Sequence, residues 1–163
     1  MTIEAVTFDF WNTLLVAHDP TKGSPRLDAM VAILEREGET VDGEGIESSL
    51  LNAGRQFDTR WRRNEVFAAT DAVDLILLDH DLHVSDAVRA EMVAVITDPD
   101  PEHDPDPTAN VGDALEALKT AGIRVGIICD VGFAPSRTLR RILERHGLLG
   151  FFDHWSFSDD VGT

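Results

Sequence analysis

Residues 98–107, DPDPEHDPDP, divide this chain. Four prolines in ten residues fix φ and remove backbone donors, so neither a helix nor an interior strand can run through them. The run reads as a stiff linker, and the sequence has a different texture on each side of it.

Before the linker, residues 24–97 are helical in pattern, about four helices with no strand signal. Ser24 followed by Pro25 is a helix start, after which Leu27, Met30, Val31 and Leu34 fall on one face until Gly38 ends it. Ile46, Leu50, Phe57 and Trp61 recur at helical spacing in a second segment. Thr70 and Ser85 are candidate N-caps for two more, with Val73, Ile76 and Leu77 inward in one and Val88, Met92, Val95 and Ile96 inward in the other.

The two ends of the chain carry the strands. IEAVTFD (3–9) is rich in β-branched and aromatic residues. IRVGIIC (123–129) has the pattern of a fully buried strand, and HWSFS (154–158) is a short third one. Helices marked by Ala114, Leu115 and Leu118, and by Leu139, Ile142 and Leu143, close at Gly122 and Gly147. Strand, helix and strand in that order predict a parallel βαβ unit. The fold class is therefore α/β: a strand, a helical insertion, then a return to parallel α/β structure.

Composition narrows the partners. A length of 163 residues suits one domain, or one core with a modest insertion. The net charge of −16 repels nucleic acid and anionic lipid, so neither is expected as a partner. No apolar stretch reaches the length of a membrane span. MTIEAV lacks the basic and apolar regions of a secretory signal, and the single Cys129 permits no internal disulfide, so a cytoplasmic location is expected.

Chemistry is expected where the parallel strands end, because loops diverge there. Asp9 ends the first strand and Cys129-Asp130 end the second. A carboxylate in that place can act as a nucleophile or as an oxygen ligand for Mg²⁺; turns also select Asp for its own local hydrogen bonds.

The combination is more specific than any one residue. FDFWNTLL, then a helical insertion, then VGIICD and FFDHWSFSDDVG, resembles the haloacid dehalogenase-like hydrolase superfamily over the whole chain. The resemblance implies a Rossmann-like parallel sheet core, residues 1–15 and 108–163, with an inserted α-helical cap and hinge linkers over 16–107. It gives Asp9 the role of nucleophile toward a phosphoryl group or a halogen-bearing carbon. Thr13 takes the supporting position in the loop. Mg²⁺ is the implied cofactor, on Asp9 and the backbone carbonyl of Trp11, and a small phosphorylated or halogenated anion is the implied substrate.

The departures from that pattern carry information too. Phosphatases of the family have a second Asp two residues after the nucleophile, as general acid and base; here Trp11 stands there and transfers no proton. An alkoxide leaving group should then depart more slowly by about two to four powers of ten. A halide needs no proton, so a metal-independent dehalogenase is the alternative enzyme. Cys129 replaces the family's Ser or Thr with a weak S–H donor, or is simply a small buried residue. The third-motif Lys does not appear before the chain ends at SDDVGT, since Lys22 and Lys119 match neither place. The expectation is the front part of a hydrolase, inactive by itself, with its first strand left as an exposed edge open to self-association. A non-catalytic remnant or binding module is the alternative from another class.

Three further features remain. RQFDTRWRR (55–63) places four arginines in nine residues; Arg60 and Arg63, with Asp130, are candidates to face an anionic substrate, and a solvated helix face is the competing reading. DHDLH (79–83) offers His80 and His83 but no strong metal spacing, and reads as a helix end. Arg137, Arg140, Arg141 and Arg145 are expected on the exposed face of the last long helix.

Overall fold

The computed structural model describes residues 2–16, 24–98 and 100–161. In chain order the elements are β1 (Ala5–Phe8), α1 (Pro25–Arg36), α2 (Gly43–Trp61), α3 (Ala69–Asp79), α4 (Asp86–Thr97), α5 (Val111–Thr120), β2 (Arg124–Cys129), α6 (Ser136–Arg145), β3 (His154–Phe157) and α7 (Ser158–Val161). Short 3₁₀ turns lie at Pro101–His103 and Leu149–Phe151. The chain forms two compact units, residues 1–19 with 101–163, and residues 20–100. Lys22 and the first hinge residues after Val16 lie outside the described residues.

The first unit is a three-stranded, all-parallel sheet in the order β1-β2-β3. Ala5 to Phe8 run beside Arg124 to Ile127, and Gly126 to Cys129 beside His154 to Phe157. Side chains alternate across the sheet. Val125, Ile127, Cys129 and Phe157 point one way and are buried with Leu115 of α5 and Leu139, Ile142 and Leu143 of α6. The other face is open among the described residues: Thr7, Arg124 and His154 are exposed, and Ile128 is 57% exposed. The expected fully buried second strand is therefore buried on one side only. Parallel strands need cover on both faces for a continuous apolar run to be hidden, and here both connecting helices lie on the same side.

Residues 100–107 do more than link. Asp104, with a side chain only 3% exposed, accepts two hydrogen bonds of 3.1 Å from the Arg141 guanidinium and faces Arg145 at 3.4 Å. His146 Nε2 lies 3.0 Å from the Pro105 carbonyl. Val16 N–H donates to Asp106 O at 2.8 Å and Thr108 N–H to Leu14 O at 2.9 Å. Two of the four α6 arginines thus hold the linker, and Arg140 holds Asp160 at 2.6 Å while lying over the Phe157 ring at 5.1 Å. The expectation of an exposed arginine face holds for Arg137 and Arg145. Arg140 and Arg141 are half-buried, because a helix's own sequence does not show what folds back onto it.

The second unit is the four helices α1 to α4. Ser24 and Ser85 cap α1 and α4, accepting from Leu27 N–H at 3.2 Å and Val88 N–H at 3.3 Å. For α3 the cap is not Thr70, which lies inside the first turn. The helix starts after Ala68, whose N–H donates to the Asp71 carboxylate at 2.7 Å. Met30, Ile33 and Leu34 of α1, Ile46 and Ala53 of α2, Ala72, Val73 and Ile76 of α3, and Val88, Met92 and Ile96 of α4 are buried. Buried Ser49 donates to Asp79 at 2.9 Å and lies 3.2 Å from His80 Nε2, tying α2 to the end of α3. Trp61, expected inward, is 53% exposed.

Candidate active site

The carboxyl ends of the three strands come together by register. Phe8 pairs with Ile127, so Asp9 leaves β1 beside the last turn of the β2 ladder, and Cys129 pairs with Phe157, so Asp130 leaves β2 beside Ser158. Asp9, Cys129 and Asp130 are thereby neighbours at one end of one sheet.

The loop after Asp9 is built by its backbone. Phe10 O accepts from Leu14 N–H at 2.9 Å and from Leu15 N–H at 3.3 Å, and Asn12 N–H donates to Leu15 O at 2.8 Å. Asn12 takes φ 58°, a left-handed value that Asn tolerates well among non-glycine residues. Phe10, Leu14 and Leu15 are fully buried, which anchors the loop and leaves Asp9 exposed at its mouth. Trp11 is half-buried and meets the Phe10 ring edge-on, with centroids 5.0 Å apart at 70°. Thr13 is exposed, so this turn is steadied by main-chain bonds and buried side chains.

Cys129 is 4% exposed and its S–H donates to Asp130 O at 3.2 Å. Burial pushes its thiol up to about 12, and the carboxylates of Asp9, Asp130 and Asp159 push in the same direction against the Phe10 N–H. It is a neutral thiol at any ordinary pH. The same three carboxylates, acting on one sulfur, mark this strand end as a concentration of negative charge.

The acids there differ in what they already hold. Asp130 accepts from Ser158 O–H at 3.0 Å, and Ser158 in turn accepts from Val131 N–H at 3.2 Å. Asp159 accepts from Ser136 N–H at 2.8 Å at the start of α6, and Asp160 accepts from Ser136 O–H at 2.9 Å and pairs with Arg140. Asp9 makes no hydrogen bond or ion pair among the described residues. Ser158 and Asp159 are site residues that sequence reading passed over. Their signal was present: they directly follow a parallel strand, where strand-end groups converge.

Arg60 and Arg63 belong to the other unit, at the end of α2; Arg60 lies over the Phe67 ring at 5.4 Å. Among the described residues no three His, Cys, Asp or Glu side chains gather closely enough to hold a metal, and this includes His80 and His83. No described helix is long and apolar enough to cross a membrane.

No curated protein matches the chain. Solved structures do. YfnB from Bacillus subtilis, an HAD-hydrolase bound to magnesium, aligns with a TM-score of 0.61 at 15% identity, covering 99% of this chain and 66% of that one. An HAD phosphatase from Thermococcus onnurineus aligns at 0.57 and 21% identity, covering 99% and 65%. An L-2-haloacid dehalogenase from Xanthobacter autotrophicus, with chloropropionic acid covalently bound, aligns at 0.51 and 16% identity, covering 98% and 58%. The chain thus spans less than two-thirds of the length of these proteins. At such identities the likeness is one of fold: a parallel α/β core with helices. The model of the haloacid dehalogenase-like hydrolases matches residues 3–163, and the chain belongs to that family.

Proposed function

We propose that the chain carries the nucleophile of a hydrolase working by displacement at Asp9 on a small anionic substrate. One observation supports this above the rest. At a strand end where Asp130, Asp159 and Asp160 are engaged by protein donors, Asp9 is exposed and unengaged among the described residues. An Asp9 oxygen attacks the phosphorus or carbon centre, and the leaving group departs with its bonding electrons. Water then hydrolyses the acyl phosphate or, after attack on carbon, the ester formed on Asp9.

Trp11 sets the scope of that reaction. An indole half-buried against Phe10 donates no proton to a departing alkoxide. Acyl and aryl phosphates, whose leaving groups are stable as anions, are therefore the preferred phosphoryl substrates. Mg²⁺ fits in kind, since the Asp9 carboxylate and the Trp11 carbonyl are hard oxygen donors and this ion usually keeps several waters. When bound it would neutralise charge on a phosphoryl group. Halide displacement without metal is the second reading, and Trp11 favours it for the same reason: halide leaves without a proton.

A leaving-group series tests both. In a protein that carries the family's remaining motifs as well, aryl and acyl phosphates should turn over with Mg²⁺, alkyl phosphates more slowly by about two to four powers of ten, and Trp11→Asp should narrow the gap. Equal rates on alkyl and aryl phosphates would overturn the role given to Trp11. Chloride release from 2-chloropropionate in the presence of a chelator would select the second reading over the first.

A further inference from the structure

The outer face of α2 gathers a second set of charged groups that displacement at Asp9 does not use. Arg55, Arg62 and Arg63, with Asp58 and Thr59, line an open depression of about 480 Å³. Residues 55, 58, 59 and 62 lie three or four apart, so they share one helix face, and all three arginines are exposed.

Five of the chain's twelve arginines form ion pairs among the described residues. Arg36 pairs with Glu91, Arg89 with Asp74, Arg140 with Asp160, and Arg141 and Arg145 with Asp104. Arg55, Arg62 and Arg63 make no ion pair among the described residues, although the chain has 30 acidic residues for 14 basic ones. Asp58 stands at the spacing from Arg55 and Arg62 at which helical ion pairs form, yet bridges neither. The negative end of the α2 dipole favours cations here, but Arg60 already lies in the last turn. Three more guanidiniums exceed that need.

Three guanidiniums and one carboxylate leave the depression with two positive charges in excess. A phosphate monoester carries close to two negative charges at neutral pH, and guanidinium forks match its oxygens bidentately. The volume lies within the range of small-ligand sites. From this we infer that the outer face of α2 binds the phosphoryl group of a small phosphorylated metabolite, at a site on a different unit from Asp9. The inference is independent of the reaction proposed for Asp9.

Inorganic pyrophosphate is the probe, followed by calorimetry and by the arginine Nε–H resonances, with sodium chloride at matched ionic strength as reference. Saturable binding that shifts the Arg55, Arg62 and Arg63 resonances is expected. The combined substitution R55Q/R62Q/R63Q should weaken it by at least about tenfold, since each charge-assisted bond contributes strongly. Asp58→Asn should tighten it, while Arg137→Gln and Asp9→Asn should leave it unchanged. All the arginines replaced are exposed, and circular dichroism checks that the variants stay folded. Binding that survives the triple substitution, or that chloride reproduces, would overturn the assignment; so would loss of binding in Asp9→Asn, which would place the anion at the strand end instead.

Discussion

At the scale of single residues, the position of each group matters more than its type. Cys129 stands where the resembled motif has a hydroxyl residue, but it is buried, donates its S–H to the Asp130 carbonyl as a hydrogen bond, and is surrounded by carboxylates. Each of these holds the thiol protonated, and a thiol reacts only as its thiolate. With the group pushed up to about 12, the folded protein should show almost no labelling by a thiol reagent at pH 8. Labelling should rise with pH toward that value and become fast on unfolding, where the thiol titrates near 8.5. Fast labelling of the folded protein near neutral pH would show that the sulfur is neither buried nor repelled. Asp9 was legible in the sequence because a strand followed by Asp-x-x-x-Thr-Leu is a local pattern. Its lack of partners was not, because that depends on Ser158, Ser136 and Arg140 engaging the other acids from distant positions.

At the scale of elements, capping signals other than Thr70 were readable and packing partners were not. Ser24, Ser85, Gly38, Gly122 and Gly147 act through their own backbone neighbours, so their meaning is local. Trp61 fits the helical spacing of α2, but α2 has 19 residues and α3 has 11. At about 1.5 Å per residue the longer helix outlasts its neighbour, and Trp61 in its last turn stays 53% exposed. The proline run shows the same limit. Its composition reads as a stiff linker, yet its second half is held to α6 through Asp104. Asp104→Ala should leave Arg141 without its main carboxylate and cost about 2–3 kcal/mol, less than a fully buried pair because Arg141 is part-exposed. In limited proteolysis, cutting near 104–107 should be slow in the parent and fast in that variant; equally fast cutting in both would remove the clamp. β1 raises a different expectation. It pairs with β2 alone among the described residues, and its four side chains are exposed or half-buried. Open edges recruit further strands, so residues 1–163 should self-associate through residues 3–9. Light scattering after size exclusion should show species larger than a monomer, reduced by a Thr7→Pro substitution that removes an edge donor. A monodisperse monomer at all concentrations would contradict this.

At the scale of the whole molecule, the fold class was readable because the chain changes texture at a run that no regular element can cross. The two flanking textures then map onto two compact units, one of parallel α/β structure and one of helices. Which face of the sheet is covered was not readable, since the IRVGIIC run looks the same whether one or both of its sides are hidden. For function, we propose, the α/β unit holds Asp9 exposed and unengaged at a strand end. The most direct measurement is to trap the covalent adduct. The protein is incubated with an acyl phosphate and Mg²⁺, or with 2-chloropropionate and a chelator, quenched in acid, digested and read by mass spectrometry. A phosphoryl or 1-carboxyethyl group on the peptide containing Asp9, absent in Asp9→Asn, is the predicted result. A modified peptide elsewhere, or the same modification in Asp9→Asn, would contradict the account.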